Sequence, residues 1–204
     1  IQRLMSINLL KRMESSVHSF LLTVRRIYDY LYDTSQIIEQ FMTNGTGDLN
    51  EMRDLSSMDN DFDYDDQNTD FFGVGKKVKI DLRDMDYISW KRDIDEDIEN
   101  LQLLILMVED ITPKYDFKLN ELIRVIREKV AAPINESNKK ILIFTAFADT
   151  AEYFFENISE LAKDELGLHT ALVTGVVDGK TTIPRFKADM NHVLAAFSPK
   201  SKDR

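Results

Sequence analysis

The chain has no cysteine, which excludes disulfides, thiolate metal sites and a cysteine nucleophile. Nowhere does it approach the roughly 18 consecutive apolar residues needed to cross a bilayer. No basic-then-apolar signal segment opens it. Its three histidines, His18, His169 and His192, are far apart in sequence and share no ligand spacing, so they imply no metal site. Ser15 and Ser16 do have Glu14 and His18 nearby. Neighbouring helical residues point in different directions, however, so these four form no catalytic triad among themselves. An initiator Met is missing too, since the chain opens at Ile1. These absences lead to the expectation of a soluble, cytoplasmic protein without membrane segments, cut from something longer.

What is present is a globular composition. Of the 204 residues, 43% are hydrophobic and 30% charged, enough for one or two domains with a core. The net charge of −10 argues at first against a nucleic-acid partner. Between Asp48 and Asp70, however, lie nine acidic residues and a single basic one, Arg53. Without that stretch 27 acidic residues face 25 basic ones. Global charge therefore neither excludes DNA nor argues for it.

Periodicity divides the chain into four parts. Over residues 1–45, Leu10, Met13, Val17, Phe20, Val24, Ile27 and Leu31 recur at steps of three and four. That spacing predicts one long helix, stopped at Asn44-Gly45 where left-handed backbone is tolerated. Residues 46–80 hold an acidic, punctuated stretch read as an insertion. Helical spacing returns over 81–135. Ile94, Ile98, Leu101, Ile105, Val108 and Ile111 belong to one helix broken at Thr112-Pro113. A second helix runs from about Phe117 to Val130.

Residues 136–204 change character. Ile141-Leu142-Ile143-Phe144 is a short, continuous apolar run, as expected of a buried parallel strand. Asp149-Thr150-Ala151-Glu152 resembles a capping box opening a helix to about Leu166, and Gly167 ends it. Ala171-Leu172-Val173 reads as a second strand. A last helix is predicted from about Pro184 to Phe197. Strand, helix, strand, helix is an α/β order. The fold class expected is thus α/β with a large helical part, in which long N-terminal helices join an incomplete parallel-sheet lobe. Two strands do not complete such a sheet, so further strands must lie outside this sequence or come from a second copy.

The segment from Lys139 to Tyr153, KKILIFTAFADTAEY, resembles motif IV of Swi/Snf-like superfamily-two helicases. Asp116, Lys118, Leu119 and Leu122 resemble the helix that introduces the second RecA-like lobe of that family. His169 to Gly175 is similar to the strand that follows, and Phe197 to Arg204 to the segment before the next strand in bacterial members. Near the start, Asn8 to Ser16 resembles a helical element between the two lobes. The resemblance covers roughly residues 7–28 and 116–204 of the sequence. It implies a share in ATP-dependent translocation on double-stranded DNA, with ATP and Mg²⁺ as cofactors of the longer protein and its first RecA-like lobe as a partner. The phosphate-cradling loop, the acidic Mg²⁺ motif and the arginine motif that such a cycle needs are not among these residues. No catalytic residue and no cofactor site is therefore assigned here, and the chain alone is expected to hydrolyse no ATP. A non-enzymatic helical interaction module with an acidic loop is the alternative.

Three motifs compete with plainer readings. Gly175 to Thr182, GVVDGKTT, imitates a phosphate loop but has three residues between its glycines where four are required; a polar loop is the better reading. Leu103 to Asp110 imitates an acidic strand end, yet its period is helical. Asp59, Asp61, Asp63, Asp65 and Asp70 fall at calcium-loop positions, but Tyr64 replaces the required Gly and Asp70 the usual Glu. The resemblance also implies backbone-contacting residues at the two strand ends, Thr145, Ala146, Thr174 and Gly175, and Lys200 and Lys202 (and Arg204) beyond could add phosphate contacts. Small polar side chains and free N–H groups suit phosphate contact without base reading. The plainer account is that both threonines cap strands and that the lysines belong to a solvated terminus. An exposed apolar sheet edge in this chain also favours self-association.

Overall fold

The computed structural model describes residues 2–45, 82–175 and 179–198. These are mostly helical and carry one two-stranded antiparallel sheet. No helix among the described residues is long and apolar enough to cross a membrane. The chain divides into two compact units, residues 1–110 and 111–204. The acidic stretch with Asp59, Asp61, Asp63, Asp65 and Asp70 lies outside the described residues, as do Lys200, Lys202 and Arg204.

The first unit is built from α1 (Gln2–Ser15), α2 (Val17–Asn44) and α3 (Tyr87–Glu109), with a single 3-10 turn at Leu82–Asp84. The one long helix expected over 1–44 is broken at Ser16. That residue has extended backbone, φ −158° and ψ 149°, and its hydroxyl accepts from the Ser19 amide at 3.0 Å. A serine side chain that caps the next segment competes with helical continuity. Buried Arg12 reaches across the break to the Ser19 hydroxyl at 3.3 Å. At the far end Gly45 adopts φ 66°, and its N–H closes on the Phe41 carbonyl at 2.8 Å, the left-handed stop that Asn44-Gly45 predicts.

Helices α2 and α3 lie antiparallel. Arg25 meets Glu109 at 3.0 Å, Ser35 meets Asp95 at 2.6 Å, and Phe41 packs edge-on against Tyr87 at 5.2 Å. The partners thus run in opposite order along the two helices. Ile38, Leu82 and Ile94 form the buried centre, with Leu31, Phe41, Trp90 and Ile98 around it. A polar clamp crosses the seam. Lys91 donates to Asp95 at 2.8 Å and to Ser35 at 3.1 Å, and Ser35 itself donates to Asp95. Burial alone pushes the Asp95 carboxyl up, but the hydrogen bonds from Lys91 and Ser35 outweigh it and hold the group below its ordinary range.

The second unit contains α4 (Phe117–Ala131), α5 (Ala148–Asp164), β1 (Ala171–Leu172), β2 (Lys180–Thr181) and α6 (Met190–Phe197). Leu119 and Ile126 of α4 pack with Tyr153, Phe154, Ile158 and Ala162 of α5. Asp116 links the two helices while buried. Its Oδ1 caps α4 by accepting from the Leu119 amide at 3.0 Å, and its Oδ2 accepts from the Tyr153 hydroxyl at 3.0 Å. Further along, Arg127 donates to Glu165 at 2.7 Å. Both contacts advance in the same order on both helices, so α4 and α5 point the same way. Residues 132–147 must then travel back from the end of one helix to the start of the other.

Several expectations are corrected here. Ile141 to Phe144 is not a buried strand, and no parallel sheet forms among the described residues. Ile141 packs on the α4–α5 core, but Leu142 is 62% exposed and Phe144 86%. No hydrogen bond engages the backbone of residues 141–144 among the described residues. A strand needs a neighbour to take its N–H and C=O groups, and nothing described lies alongside this one. The only sheet among the described residues pairs β1 with β2, Ala171 opposite Thr181 and Leu172 opposite Lys180. The capping box at Asp149 does not form either. Phe147 occupies the N-cap position without a side-chain cap, and Glu152 turns to Lys180 at 3.5 Å. The last helix begins at Met190, not Pro184. Arg185 holds φ 60°, which interrupts helical backbone, and Asp189 supplies the true cap to the His192 amide at 3.0 Å.

Removing Asp116 leaves α4 uncapped and takes away the bond that the Tyr153 hydroxyl donates to it. Losing the cap costs about 1 kcal/mol and losing a hydrogen bond to a charged group about 1.5–3 kcal/mol. Asp116→Ala is therefore expected to lose about 2–4 kcal/mol in chemical denaturation, and Tyr153→Phe, which keeps the cap, roughly half of that. A loss under about 0.5 kcal/mol for Asp116→Ala, the level of an ordinary surface change, would contradict this. Burial, then the Asp116 bond, raises the Tyr153 hydroxyl above its usual 10.0. The folded state holds that proton more tightly, so stability is full below the usual value and falls as pH rises through the raised one. Tyr30, pushed up by burial to about 12, acts in the same sense in the first unit. Tyr153→Phe is expected to remove its own share of the alkaline loss.

Candidate nucleic-acid interface

The candidate contacts flank α5 in sequence, Thr145-Ala146 before it and Thr174-Gly175 after it. Thr145 closes the extended apolar run, is partly buried, and donates its hydroxyl to the Phe147 carbonyl at 2.8 Å. That bond turns the chain into α5 and leaves the oxygen lone pairs as acceptors only. Ala146 beside it is exposed. Thr174 and Gly175 follow β1, which packs on α5. Thr174 is partly buried, Gly175 is exposed, and open space surrounds the position a Cβ would take at Gly175. A backbone can approach another chain closely there. Lys200 and Lys202, the expected basic additions, lie outside the described residues.

The hairpin beside this surface is held by threonines that sequence reasoning missed. Thr182 Oγ1 accepts from the Thr170 amide at 2.9 Å, and its own amide donates to the Thr170 carbonyl at 3.0 Å. Thr181 Oγ1 donates to the same carbonyl at 3.0 Å and accepts from the Ile183 amide at 3.2 Å. His169 Nδ1 stands 3.2 Å from Thr182 Oγ1. The signal available in the sequence was the β-branched pair Thr181-Thr182 directly after Gly179-Lys180.

Lys180 resolves the phosphate-loop imitation. It sits in β2 and pairs with Glu152 at 3.5 Å and Glu156 at 3.7 Å, one turn apart on α5. A phosphate-loop lysine stands free at the start of a helix, whereas α6 begins only at Met190. This lysine fastens the hairpin to α5 instead.

Comparisons with protein-family models, with curated proteins and with solved structures found no match for this chain. Two other residues hold the ends of α6. Lys140, at the foot of the extended run, donates to the Phe197 carbonyl at the end of α6 and stands 5.5 Å above the Phe197 ring. A cation there complements the negative end of a helix. At the other end of α6, Asp189 accepts from His192 Nδ1 at 2.7 Å and from Lys187 at 3.0 Å. The hydrogen bond from His192 is the main cause holding the Asp189 carboxyl well below the usual range.

Gly179 has no room for a side chain, since a Cβ built on it would lie 1.7 Å from the Ala188 carbonyl oxygen. Gly179→Ala is expected to displace residue 188 or open the hairpin, at about 1–3 kcal/mol for such overpacking. Amide exchange at Thr170 and Thr182 reads this directly. Unchanged protection at both amides would count against the close approach.

Proposed function

We propose that this chain is part of a Swi/Snf-like ATP-dependent DNA translocase, contributing scaffold of the second RecA-like lobe and contacts to the nucleic-acid backbone. In this reading the ATP and Mg²⁺ machinery, including the first lobe, belongs to other parts of a longer cytoplasmic protein, and the 204 residues alone hydrolyse no ATP.

One observation carries the proposal. Two neighbouring helices, α4 and α5, point the same way, and the chain between them returns as an extended apolar run with one side on their core. Successive same-sense helices joined by a returning extended segment are the helical layer and one strand of an α/β fold. Along the run Ile141 meets the helices, while Leu142 and Phe144 face outward and bare. Strands of parallel sheets are covered on both faces, so further strands and an outer layer suit this side. The same bare face suits self-association where those strands are missing. Thr145-Ala146 and Thr174-Gly175 end the extended segments on either side of α5, where α/β folds place their ligands.

The second reading is a non-enzymatic interaction module. The antiparallel α2–α3 pair favours it, because the outer side of α3 exposes large apolar residues.

Anisotropy with a short fluorescent DNA duplex distinguishes the two. The translocase reading expects sequence-independent binding that weakens steeply with salt. Thr145→Glu combined with Thr174→Glu, which sets two negative charges against the phosphates, is expected to weaken it roughly fivefold on every sequence. Absence of binding at low salt, or binding indifferent to both substitutions, would overturn it.

A further inference from the structure

The outer face of α3 combines exposed apolar residues with an acidic rim. Ile94 and Ile98 point into the α2–α3 seam. At about 3.6 residues per turn, the opposite side of the helix carries Glu96, Glu99, Leu103, Leu106, Met107 and Asp110. Leu103 is 60% exposed, Leu106 55% and Met107 67%. Isolated exposed apolar residues are ordinary, but three on adjoining turns of one helix make a contiguous patch.

The rim of this patch is acidic. Among the described residues Glu96, Glu99 and Asp110 make no ion pair or side-chain hydrogen bond. Other carboxylates of the same unit do find partners: Asp93 with Arg92, Asp95 with Lys91 and Glu109 with Arg25. Arg92, one turn before Glu96, is taken by Asp93. Asp110 also stands at the negative end of the α3 dipole, where a carboxylate is locally unfavourable. A local rule broken without compensation marks a place where something else supplies the balance.

We propose that this outer face of α3 docks a basic amphipathic helix, whose apolar anchors cover Leu103, Leu106 and Met107 and whose lysines or arginines meet Glu96, Glu99 and Asp110. Helix-on-helix docking of this kind uses anchors at three- and four-residue spacing. Charge selects the occupant. A second copy of this chain would bring its own acidic rim against the first, and like charges facing each other disfavour that pairing. A cationic helix relieves all three carboxylates and completes the end of α3. The inference rests on the first unit alone and stands whether or not the translocase reading does.

The test uses the full chain and a labelled synthetic helix with Leu at three- and four-residue spacing and Lys on its flanks. Controls are the same peptide with Glu replacing Lys and a scrambled Leu/Lys peptide. Two variants separate the contributions: Leu103→Gln with Met107→Gln, and Glu96→Gln with Glu99→Gln and Asp110→Asn. Glutamine is a good helix former, and circular dichroism checks that helix content is kept. The basic helix is expected to bind with an affinity lowered at least tenfold by the apolar variant. The rim variant is expected to lower it and to flatten its salt dependence. Equal binding by wild type and both variants, which would place the peptide on the acidic stretch 48–70, overturns the proposal. So does equal binding of the Glu or scrambled peptide, or no binding at all. Light scattering adds one more arm: a wild-type oligomer that the apolar variant converts to monomer would make a second copy the occupant and overturn the cationic partner.

Discussion

A buried carboxylate shared between a helix cap and a phenol fixes the second unit. Asp116 satisfies the first turn of α4 with one oxygen and holds Tyr153 of α5 with the other. Because that contact joins the beginning of α4 to the first half of α5, the helices must run in the same sense, with Arg127 and Glu165 in step further along. Everything between them follows from this. The connection has to return over the length of α4, it does so as extended chain, and Ile141 falls onto the shared core. The outward side chains of that run, Leu142 and Phe144, are left in solvent because no described neighbour lies beside them. An exposed apolar segment of the unit is thus tied to a buried polar contact.

Elsewhere the unit is held by charge more than by bulk. Helix α6 has no buried residue, and eight residues do not sustain a helix unaided. Asp189 at its beginning and Lys140 at its end match the two poles of its dipole. The hairpin relies on Thr170, Thr181 and Thr182 and on Lys180 gripping α5. In the first unit the same economy appears once, where Lys91, Ser35 and Asp95 cross the α2–α3 seam among apolar neighbours. A fully hydrogen-bonded polar group of this kind pins the register of two helices that an apolar seam alone would allow to slide.

Long periodic segments were legible in the sequence. The spacing of Ile94, Ile98, Leu101 and Ile105 predicted α3, the helix from about Phe117 to Val130 is α4, and Asn44-Gly45 predicted the stop of α2. What the sequence hid were contacts between distant residues. Ser16 looked like one more helical position until Arg12 and Ser19 made it a cap. Asp149 and Glu152 had the spacing of a capping box, but Lys180, 28 positions after Glu152, claimed the glutamate. Ile141 to Phe144 carried the composition of a buried strand, and composition reports what a segment can pair with, not whether a partner is beside it. Thr145, Ala146, Thr174 and Gly175 were placed by family resemblance and stand on either side of α5. The bond between Asp116 and Tyr153 has no local signature.

The coding sequence on either side of these residues tests the central claim most directly. The account predicts a phosphate-loop motif and an acidic Mg²⁺ motif upstream, and a glutamine-and-arginine motif within about a hundred residues downstream, a distance set by ordinary domain size. A stop codon directly after Arg204 with no phosphate loop upstream would contradict the translocase reading and leave the helical interaction module as the account of this protein.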